Sequence, residues 1–587
     1  MKRFFCNMEQ ALDILKKYWG YEAFRSPQDA IIQSVLDGKD TLALMPTGGG
    51  KSVSFQVPAL LREGICIVVS PLVALMTDQV EALKRRDIRA LSLAGGLSHN
   101  DLERLLGNAL YGNYKFLYLS PERLQQETVR EAIRQMNVNL IAIDEAHCVS
   151  HWGKDFRPAY LECKWLKETF PAVPMLALTA SATPKVQKDI IAALTMQEPH
   201  IITTSLQRRN ISYEVMEVED KLFHLLQTLK LQKGSAIIYL RSRSGTVQMA
   251  NFLEGQGISA TFFHGGLTAD EKNKKLGMWI TGDIRVMVAT NAFGMGIDKP
   301  DVRTVVHWDI PSTLEDYFQE AGRAGRDGKP STAVLFYNEL DLKTSEQQLH
   351  NNLVDLPYLK YIYSRLNAYF VIAIGEGEEQ TFGLLFPELC KRYNLQAQKA
   401  YNALLVLDRC SVISLSENFH HRSSLFFKIE SFQLMEYLKA HSHLKDLVLY
   451  LIRSFTGIYN RPISLRIEAL AEQLHLNYKT VIEQLEQLQK DDVAEFVNKE
   501  ADLELTFRVP RDDDRTIDAI AKSVREYNHT KTTLQMAVYD YINNESECRS
   551  MQLLRYFGQN DLTPCGRCSV CQKKHAKGYL RSEEASQ

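Results

Sequence analysis

Up to about residue 340 the chain alternates short, continuous apolar runs with stretches of helical period. A first series of runs lies at 41–45, 65–69, 116–119, 140–143 and 175–178, and a second at 236–240, 260–263, 286–289, 304–307 and 333–337. Runs that are apolar at every position suit strands covered on both faces, as in a parallel sheet flanked by helices. Two such series predict two doubly wound α/β domains with a boundary near 200–215. The opening MKRFFCNMEQALDILKKYWG starts basic but lacks a long apolar run and a small-residue cleavage site. It reads as the start of a folded helix.

After residue 340 the pattern turns mainly helical and contains an internal echo. Glu388 to Leu415 and Leu470 to Val497 each read as short helix, turn, longer helix and strand, with Leu395, Leu404, Leu407 and Val412 matching Leu476, Leu485, Leu488 and Val493. That is the helix-turn-helix core of a winged helix, and two packed helical hairpins would give the same pattern. Residues 511–545 read as a helical pair. The expected division is two α/β domains at 1–205 and 206–340, a helical, tandem winged-helix-like region at 341–510, a cysteine-bearing module at 511–575 and a tail at 576–587.

A length of 587 residues fits three to five domains at roughly 100–200 residues each. The chain is 45% apolar and 24% charged, an ordinary globular balance, and no stretch approaches the ~18–20 apolar residues that span a bilayer. An intracellular protein with no membrane partner is therefore expected. The net charge of −2 does not announce nucleic acid, although a local basic groove remains compatible with it. Of ten cysteines, six are scattered, as small buried hydrophobes are. The other four, Cys548, Cys565, Cys568 and Cys571, stand at ligand spacing.

Met45-Pro46-Thr47-Gly48-Gly49-Gly50-Lys51-Ser52 lies between an apolar run and a helix. Thr47, Gly48, Gly49 and Gly50 can curl backbone N–H groups around a phosphate at a helix N-terminus. Lys51 would reach the β- and γ-phosphates of ATP, and the Ser52 hydroxyl would hold Mg²⁺. A strict phosphate loop has glycine where this chain has Met45, and a plain glycine-rich turn is the alternative. Upstream, Tyr21, Phe24, Arg25 and Gln28 form a cluster in which a ring can stack on a purine and Gln28 can bond two base edges. Aromatic residues at helical spacing more often belong to a core.

The run 140–143 ends in Asp144-Glu145-Ala146-His147. Asp144 is placed to bind Mg²⁺ and Glu145 to polarise an attacking water. Followed by CVSHWGKDFRPAY, this resembles motif II and the aromatic-rich loop of the RecQ family of DNA helicases. The resemblance implies two RecA-like domains and a role for His147, Trp152, Phe156 and Arg157 in coupling single-strand contact to hydrolysis. The family usually has histidine where this chain has Lys154. Phe24 to Gln28 resembles motif 0, with Tyr21 as the stacking ring. Val69-Ser70-Pro71-Leu72 resembles motif Ia, a DNA contact, and Ser120-Pro121-Glu122-Arg123 resembles the next DNA-contact motif. Thr179-Ala180-Ser181-Ala182-Thr183 resembles motif III, and Ile238 to Arg243 resembles motif IV. Ala289 to Pro300, with Thr290, resembles motif V, and Gln319 to Gly328 follows motif VI almost residue for residue. Read alone, Arg323 and Arg326 fit a solvated turn; within motif VI they are arginine fingers worth ~10³-fold or more.

Cys548-x16-Cys565-x2-Cys568-x2-Cys571 supplies four thiolates, enough to close a tetrahedral Zn²⁺ site. The same Cys-x2-Cys-x2-Cys spacing occurs in iron–sulfur proteins. The stretch from Glu547 to Gly558 resembles the RecQ zinc-binding subdomain, which implies zinc. Here the order departs from the family. About 170 residues of winged-helix-like sequence precede this module, and only 16 follow Cys571, so no strand-splitting wing residue is carried over. The resemblance implies ATP-driven 3′→5′ movement on single-stranded DNA, unwinding of duplex or branched DNA in recombination and repair, and a cytoplasmic, nucleoid-associated location. An RNA helicase, or a DNA-binding or strand-annealing protein with a relic core, would use the same motor fold. Lys391, Arg392, Gln396, Gln398, Lys399 and Asn402 are candidate phosphate contacts of the first winged-helix copy, which is favoured over the more acidic second copy.

Overall fold

The computed structural model describes residues 8–574 apart from 47–48, 72, 94–96, 98, 151–155, 295–298, 417–422, 456, 460–461, 466, 475, 498–502 and 561. The chain forms two compact units: residues up to His350 together with those from His529 onward, and Asn351–Asn528. Among the described residues no helix is long and apolar enough to cross a membrane.

In the first unit, β1 (Thr41–Leu44), β2 (Ile65–Val69), β3 (Ala90–Leu93), β4 (Phe116–Leu119), β5 (Val138–Ile143), β6 (Met175–Thr179) and β7 (His200–Thr203) make a seven-stranded parallel sheet in the order β3-β4-β2-β5-β6-β1-β7. Its continuous apolar runs follow from double burial. Ile67, Ile141 and Ala177 face one core while Val68, Ala142 and Leu178 face another. Each Ile or Leu buried this way contributes roughly 1.5–3 kcal/mol. A second sheet holds β8 (Ile211–Glu217), β9 (Ser235–Tyr239), β10 (Ala260–Phe263), β11 (Val286–Ala289), β12 (Val302–His307) and β13 (Ser331–Tyr337) in the order β10-β11-β9-β12-β13-β8, again parallel. Both are RecA-like layouts. The sequence pattern misses β3, β7 and β8. β7 and β8 are edge strands: β7 exposes His200, Ile201 and Thr203, and β8 alternates buried with half-buried positions.

The cysteine module packs on the second sheet, although 178 residues of the other unit separate them in sequence. Tyr541, Leu553, Leu554, Phe557, Cys568 and Val570 share one core with Tyr213, Val215, Tyr317 and Phe318.

In the second unit, β14 (Thr381–Leu384), β15 (Ile413–Ser416) and β19 (Leu503–Phe507) pair antiparallel in the order β14-β19-β15. β16 (Ser423–Phe427), β17 (Ile463–Leu465) and β18 (Ala494–Val497) form a second sheet in the order β17-β16-β18. Both echoes are winged helices, but they are nested and not in tandem. The first copy's helices, Phe386–Arg392 and Ala397–Arg409, lead into β15, whose partner β19 arrives only after the whole second copy. In the second copy, helices Ile467–Leu474 and Tyr478–Lys490 lead into β18, whose partner β16 precedes them, so its strand order is permuted. The two ladders share a register offset by a single residue. Continuing from Ser416↔Glu504 would set Ser424 opposite 496, and it faces Val497. Ile517 and Val524 pack into the first copy's core, and the border between the two units falls inside the helix Ala521–Asn543.

Candidate functional site

β1 runs into the phosphate loop, and the helix Lys51–Leu61 leaves it. Gly50 caps that helix with φ +78°, and a Cβ there would collide with the Gln28 amide. Glycine is needed on both counts. Gln28 is buried and spans the loop: its Nε2 donates to the Gly50 carbonyl at 3.1 Å, and its Oε1 accepts from Arg25 N at 2.9 Å. The amide predicted to read a purine thus also braces the loop. Tyr21 is 51% exposed with the Arg25 guanidinium 5.9 Å from its ring centre, leaving the ring open for stacking. Met45 is fully buried in the sheet core and receives the Ser54 hydroxyl at 3.7 Å. This position packs the loop from below, which is why glycine is not required there. Thr47 and Gly48 lie outside the described residues.

Asp144 and Glu145 stand at the end of β5, next to the loop. Lys51 Nζ lies 3.2 Å from Glu145 Oε1. Glu145 has φ +47°, a left-handed conformation costly for a residue with a Cβ and often found where function fixes the backbone. Asp144 is buried, and its carboxyl is pushed up to about 6, first by burial and then by the Glu145 carboxylate, with Lys51 opposing. A buried carboxylate beside a second one is a donor set that a hard divalent cation relieves. From here a polar line leads to the second domain. His147 Nδ1 lies 3.4 Å from Glu145 Oε2 and 3.0 Å from Thr179 Oγ1. Thr179 Oγ1 accepts from Ser181 N at 3.3 Å, and Gln319 Nε2 donates to Ser181 Oγ at 2.8 Å. Ser181 and Gln319 fall within recognisable motifs, but the sequence by itself assigns neither a role.

Arg323 and Arg326 follow the helix Leu314–Ala321 that carries Gln319. Arg323 is buried beside the Tyr239 hydroxyl and Gly294. Tyr239 OH donates to the Phe293 carbonyl at 2.9 Å and stacks on His307, which pairs with Glu320 at 2.9 Å. Of the predicted DNA contacts, Ser70 (2% exposed) and Thr290 (3%) are buried at strand ends. Arg157 Nη1 donates to the Pro71 carbonyl at 3.2 Å, tying the end of the aromatic-rich loop to motif Ia, with Phe156 half-buried beside it in sequence. Trp152, Lys154 and 295–298 lie outside the described residues.

In the first winged helix, Lys399 Nζ sits 4.6 Å over Tyr358. Arg365 lies between Tyr361 (4.8 Å) and Tyr393 (5.6 Å), and Arg392 between Tyr369 (5.7 Å) and Tyr393 (5.8 Å). Asn402 is buried and donates to Asn352 at 2.8 Å, so it packs inward and cannot meet a phosphate.

The four cysteine sulfurs lie within 4.8 Å of one another. Cys548 is 3.5 Å from Cys565 and 3.8 Å from Cys568, close to the ~3.8 Å edge of a tetrahedron with ~2.3 Å zinc–sulfur bonds. Arg549 N and Cys565 N donate to Cys568 and Cys548 Sγ at 3.4 and 3.3 Å. Four convergent sulfurs with backbone donors fit a closed structural zinc site.

The fold and site define a pair of RecA-like domains with a phosphate loop and an acidic pair beside it. A DEAD/DEAH box helicase model matches residues 25–190, and a helicase conserved C-terminal domain model matches 217–328. The RecQ helicase winged-helix domain of Bacteroidota matches 425–498, the inserted and permuted copy, and the RecQ zinc-binding model matches 511–572. The chain is 40% identical to the ATP-dependent DNA helicase RecQ of Synechocystis sp. over 57% of this chain and 71% of that protein. It is 40% identical to that of Pasteurella multocida over 64% of this chain and 58% of that protein. The chain belongs to the RecQ family. It spans a little over half the length of the Pasteurella multocida and Haemophilus influenzae relatives, 58% and 54%.

Proposed function

We propose that this chain is an ATP-driven DNA helicase that moves 3′→5′ along single-stranded DNA and unwinds duplex or branched DNA, in recombination and repair. The observation that carries the reading is the unbroken polar line from Lys51 through Glu145, His147, Thr179 and Ser181 to Gln319. Lys51 pairs with Glu145 at 3.2 Å, and nucleotide phosphates would draw the ammonium away. Glu145 would then be free to orient the attacking water. Asp144 and Ser52 would hold Mg²⁺, which supplies charge neutralisation on the phosphates. Arg323 and Arg326 would stabilise charge on the transferred phosphoryl group. His147 Nδ1 faces both Glu145 Oε2 and Thr179 Oγ1, so a change at the hydrolytic carboxylate would be felt along the line to Gln319 on the second domain.

Single-stranded DNA would be gripped through phosphates across both α/β domains, with little sequence reading. The first winged helix would grip duplex through Lys391, Arg392 and Lys399. Tyrosine rings hold Arg392 and Lys399 out of carboxylate pairs among the described residues, which keeps their charge for phosphate. The zinc module is structural, and its four ligands leave no open position. The family relatives are named DNA helicases, which weighs against an RNA substrate, and the intact Lys51, Glu145 and Arg326 weigh against a relic core. Unwinding of forks, 3′ and 5′ overhangs and four-way junctions, with and without ATP, tests the reading. ATP-dependent separation of forks, junctions and the 3′-overhang substrate, and not of the 5′-overhang substrate, is expected. Annealing without ATP-dependent separation, or stimulation by RNA alone, overturns it.

A further inference from the structure

The segment joining the two α/β domains, residues 204–210, is held from three sides. On the first-domain side, Thr204 donates through N (3.4 Å) and Oγ1 (3.2 Å) to the carbonyl of Leu44, the last residue of β1. The phosphate loop begins at the next residues. On the second-domain side, Arg208 donates to three backbone carbonyls of motif VI: Gly322 at 3.1 Å, Ala324 at 3.0 Å and Gly325 at 2.8 Å. Asn210 Nδ2 adds the Gly325 carbonyl at 2.7 Å and Lys329 at 3.0 Å. Those carbonyls belong to the turn that carries Arg323 and Arg326. The planar guanidinium reaches all three acceptors at once, which a lysine ammonium on a single stem cannot.

The third side is the cysteine module. Gln559 donates through Nε2 to the Thr204 carbonyl at 2.6 Å and accepts at Oε1 from Leu206 N at 3.1 Å. One amide thus serves two backbone groups of the same segment, as a neighbouring β-strand does. Gln207 Nε2 gives a second tie to the Thr563 carbonyl at 3.2 Å. Gly558, with φ +78°, packs where a Cβ would collide with Pro184, the first residue of the helix that follows motif III. Gln559 therefore reaches the joining segment from a module also seated against the first domain.

We infer that residues 204–210 are the joint that sets where Arg323 and Arg326 stand relative to the phosphate loop, and that Gln559 is the positioning residue that locks this joint. The inference rests on the reading of those arginines as phosphoryl-facing groups. Gln559 touches neither nucleotide nor reacting atoms. Its effect passes through Thr204 to β1 and through Arg208 to the arginine turn. A displacement of about 1 Å at a catalytic group can cost up to ~10²-fold in rate, so a loosened joint acts on kcat. Nucleotide affinity is expected to hold, because the phosphate cradle is built by residues on the other side of the joint.

The test uses the full-length, zinc-loaded chain. Gln559→Glu keeps the side-chain size but sets a carboxylate oxygen against the Thr204 carbonyl. Arg208→Lys keeps the charge but loses the fork. Each is expected to lower single-strand-stimulated kcat about ten-fold while KM for ATP and the affinity for a fluorescent ADP analogue stay within about two-fold. The double variant is expected to be no slower than the slower single variant, because both break one joint. Hydrogen exchange should rise at 204–210 and 322–326 and not at 51–61. Arg326→Ala, run in parallel, separates the two readings. If it abolishes hydrolysis while Gln559→Glu leaves kcat and exchange at 322–326 unchanged, the joint is overturned and the arginine reading stands. If Arg326→Ala hydrolyses normally, both fall. Multiplicative losses in the double variant, or a loss matched by missing zinc or a lowered Tm, also overturn it.

Discussion

Glu145 sits in a left-handed backbone with its carboxylate on Lys51, and Asp144 lies buried behind it. Exchanging the charge at Glu145 while keeping its shape should remove the base and leave the cradle. Glu145→Gln is expected to bind ATP normally and to lose ~10²-fold or more in turnover; near-normal hydrolysis would refute its role. Asp144 carries a different cost. Its carboxyl, pushed up to about 6, binds a proton more tightly folded than unfolded, where its pKa is ~3.9. The destabilisation is therefore absent below about pH 4, grows through pH 4–6 and is complete above. Asp144→Asn should abolish hydrolysis yet raise the Tm of nucleotide-free protein at pH 8, with the gain fading towards pH 4. A lower Tm at pH 8 would contradict the burial argument. These two carboxylates were legible in sequence because an apolar run ending in Asp-Glu has few other uses after a phosphate loop. Arg208 and Gln559 were not. Each is an ordinary polar residue until the fold sets Gln559 against Thr204, 355 positions away.

At the scale of elements, full burial on both sheet faces made the central strands of both domains readable as apolar runs, and the same reasoning missed strands with an open edge. The winged helices show what periodicity leaves out. It reports which face of Ala397–Arg409 or Tyr478–Lys490 is buried, and both helices were legible in this way. It does not report strand pairing, and the nesting depends wholly on β15 pairing with β19 across the entire inserted copy. The charge pattern carries a separate expectation. Lys399 and Arg392 ride on Tyr358, Tyr369 and Tyr393, while Lys479 of the second copy is paired with Glu483 at 3.7 Å. Reversing Lys391, Arg392 and Lys399 to glutamate should weaken duplex binding and lower its salt slope by about one for each phosphate no longer neutralised, while single-strand-stimulated ATPase survives. Fluorescence anisotropy of labelled duplex across a salt series gives the slope. An unchanged slope would make this face a spacer or a protein-binding surface, and an equal weakening from Lys479→Glu would move the duplex grip to the inserted copy.

On the scale of the molecule, the two units differ in what holds them together. Residues 351–528 have apolar cores of their own, one around Tyr363 and Phe507 and another around Leu447 and Leu485. The cysteine module has none. Its apolar side chains join the core of the second α/β domain, with Phe557 4.8 Å from Phe318 and Tyr541 5.3 Å from Tyr317, and within the module polar ties such as Gln552 to the Asn544 and Glu547 carbonyls accompany four sulfurs converging on one point. A structural zinc there contributes folding free energy directly, because no preformed site exists in the unfolded chain. Removing it should loosen Cys565 and Cys568 first and then the helix Arg549–Tyr556, whose Tyr556 OH bonds Glu315 at 2.7 Å. The metal's loss therefore reaches the second α/β domain, whereas the described cores of residues 351–528 include none of the four clustered cysteines. Metal analysis should give about one zinc per chain and no sulfide. Calorimetry should resolve two transitions, and a zinc chelator should lower one of them by several degrees while moving the other by less than about one. Limited proteolysis of the chelated protein should release an intact fragment near residues 351–528 and cut first around 545–571. A single transition that shifts as a whole, or iron and sulfide in place of zinc, would show that the module is built on different chemistry from the one its sulfur geometry fits.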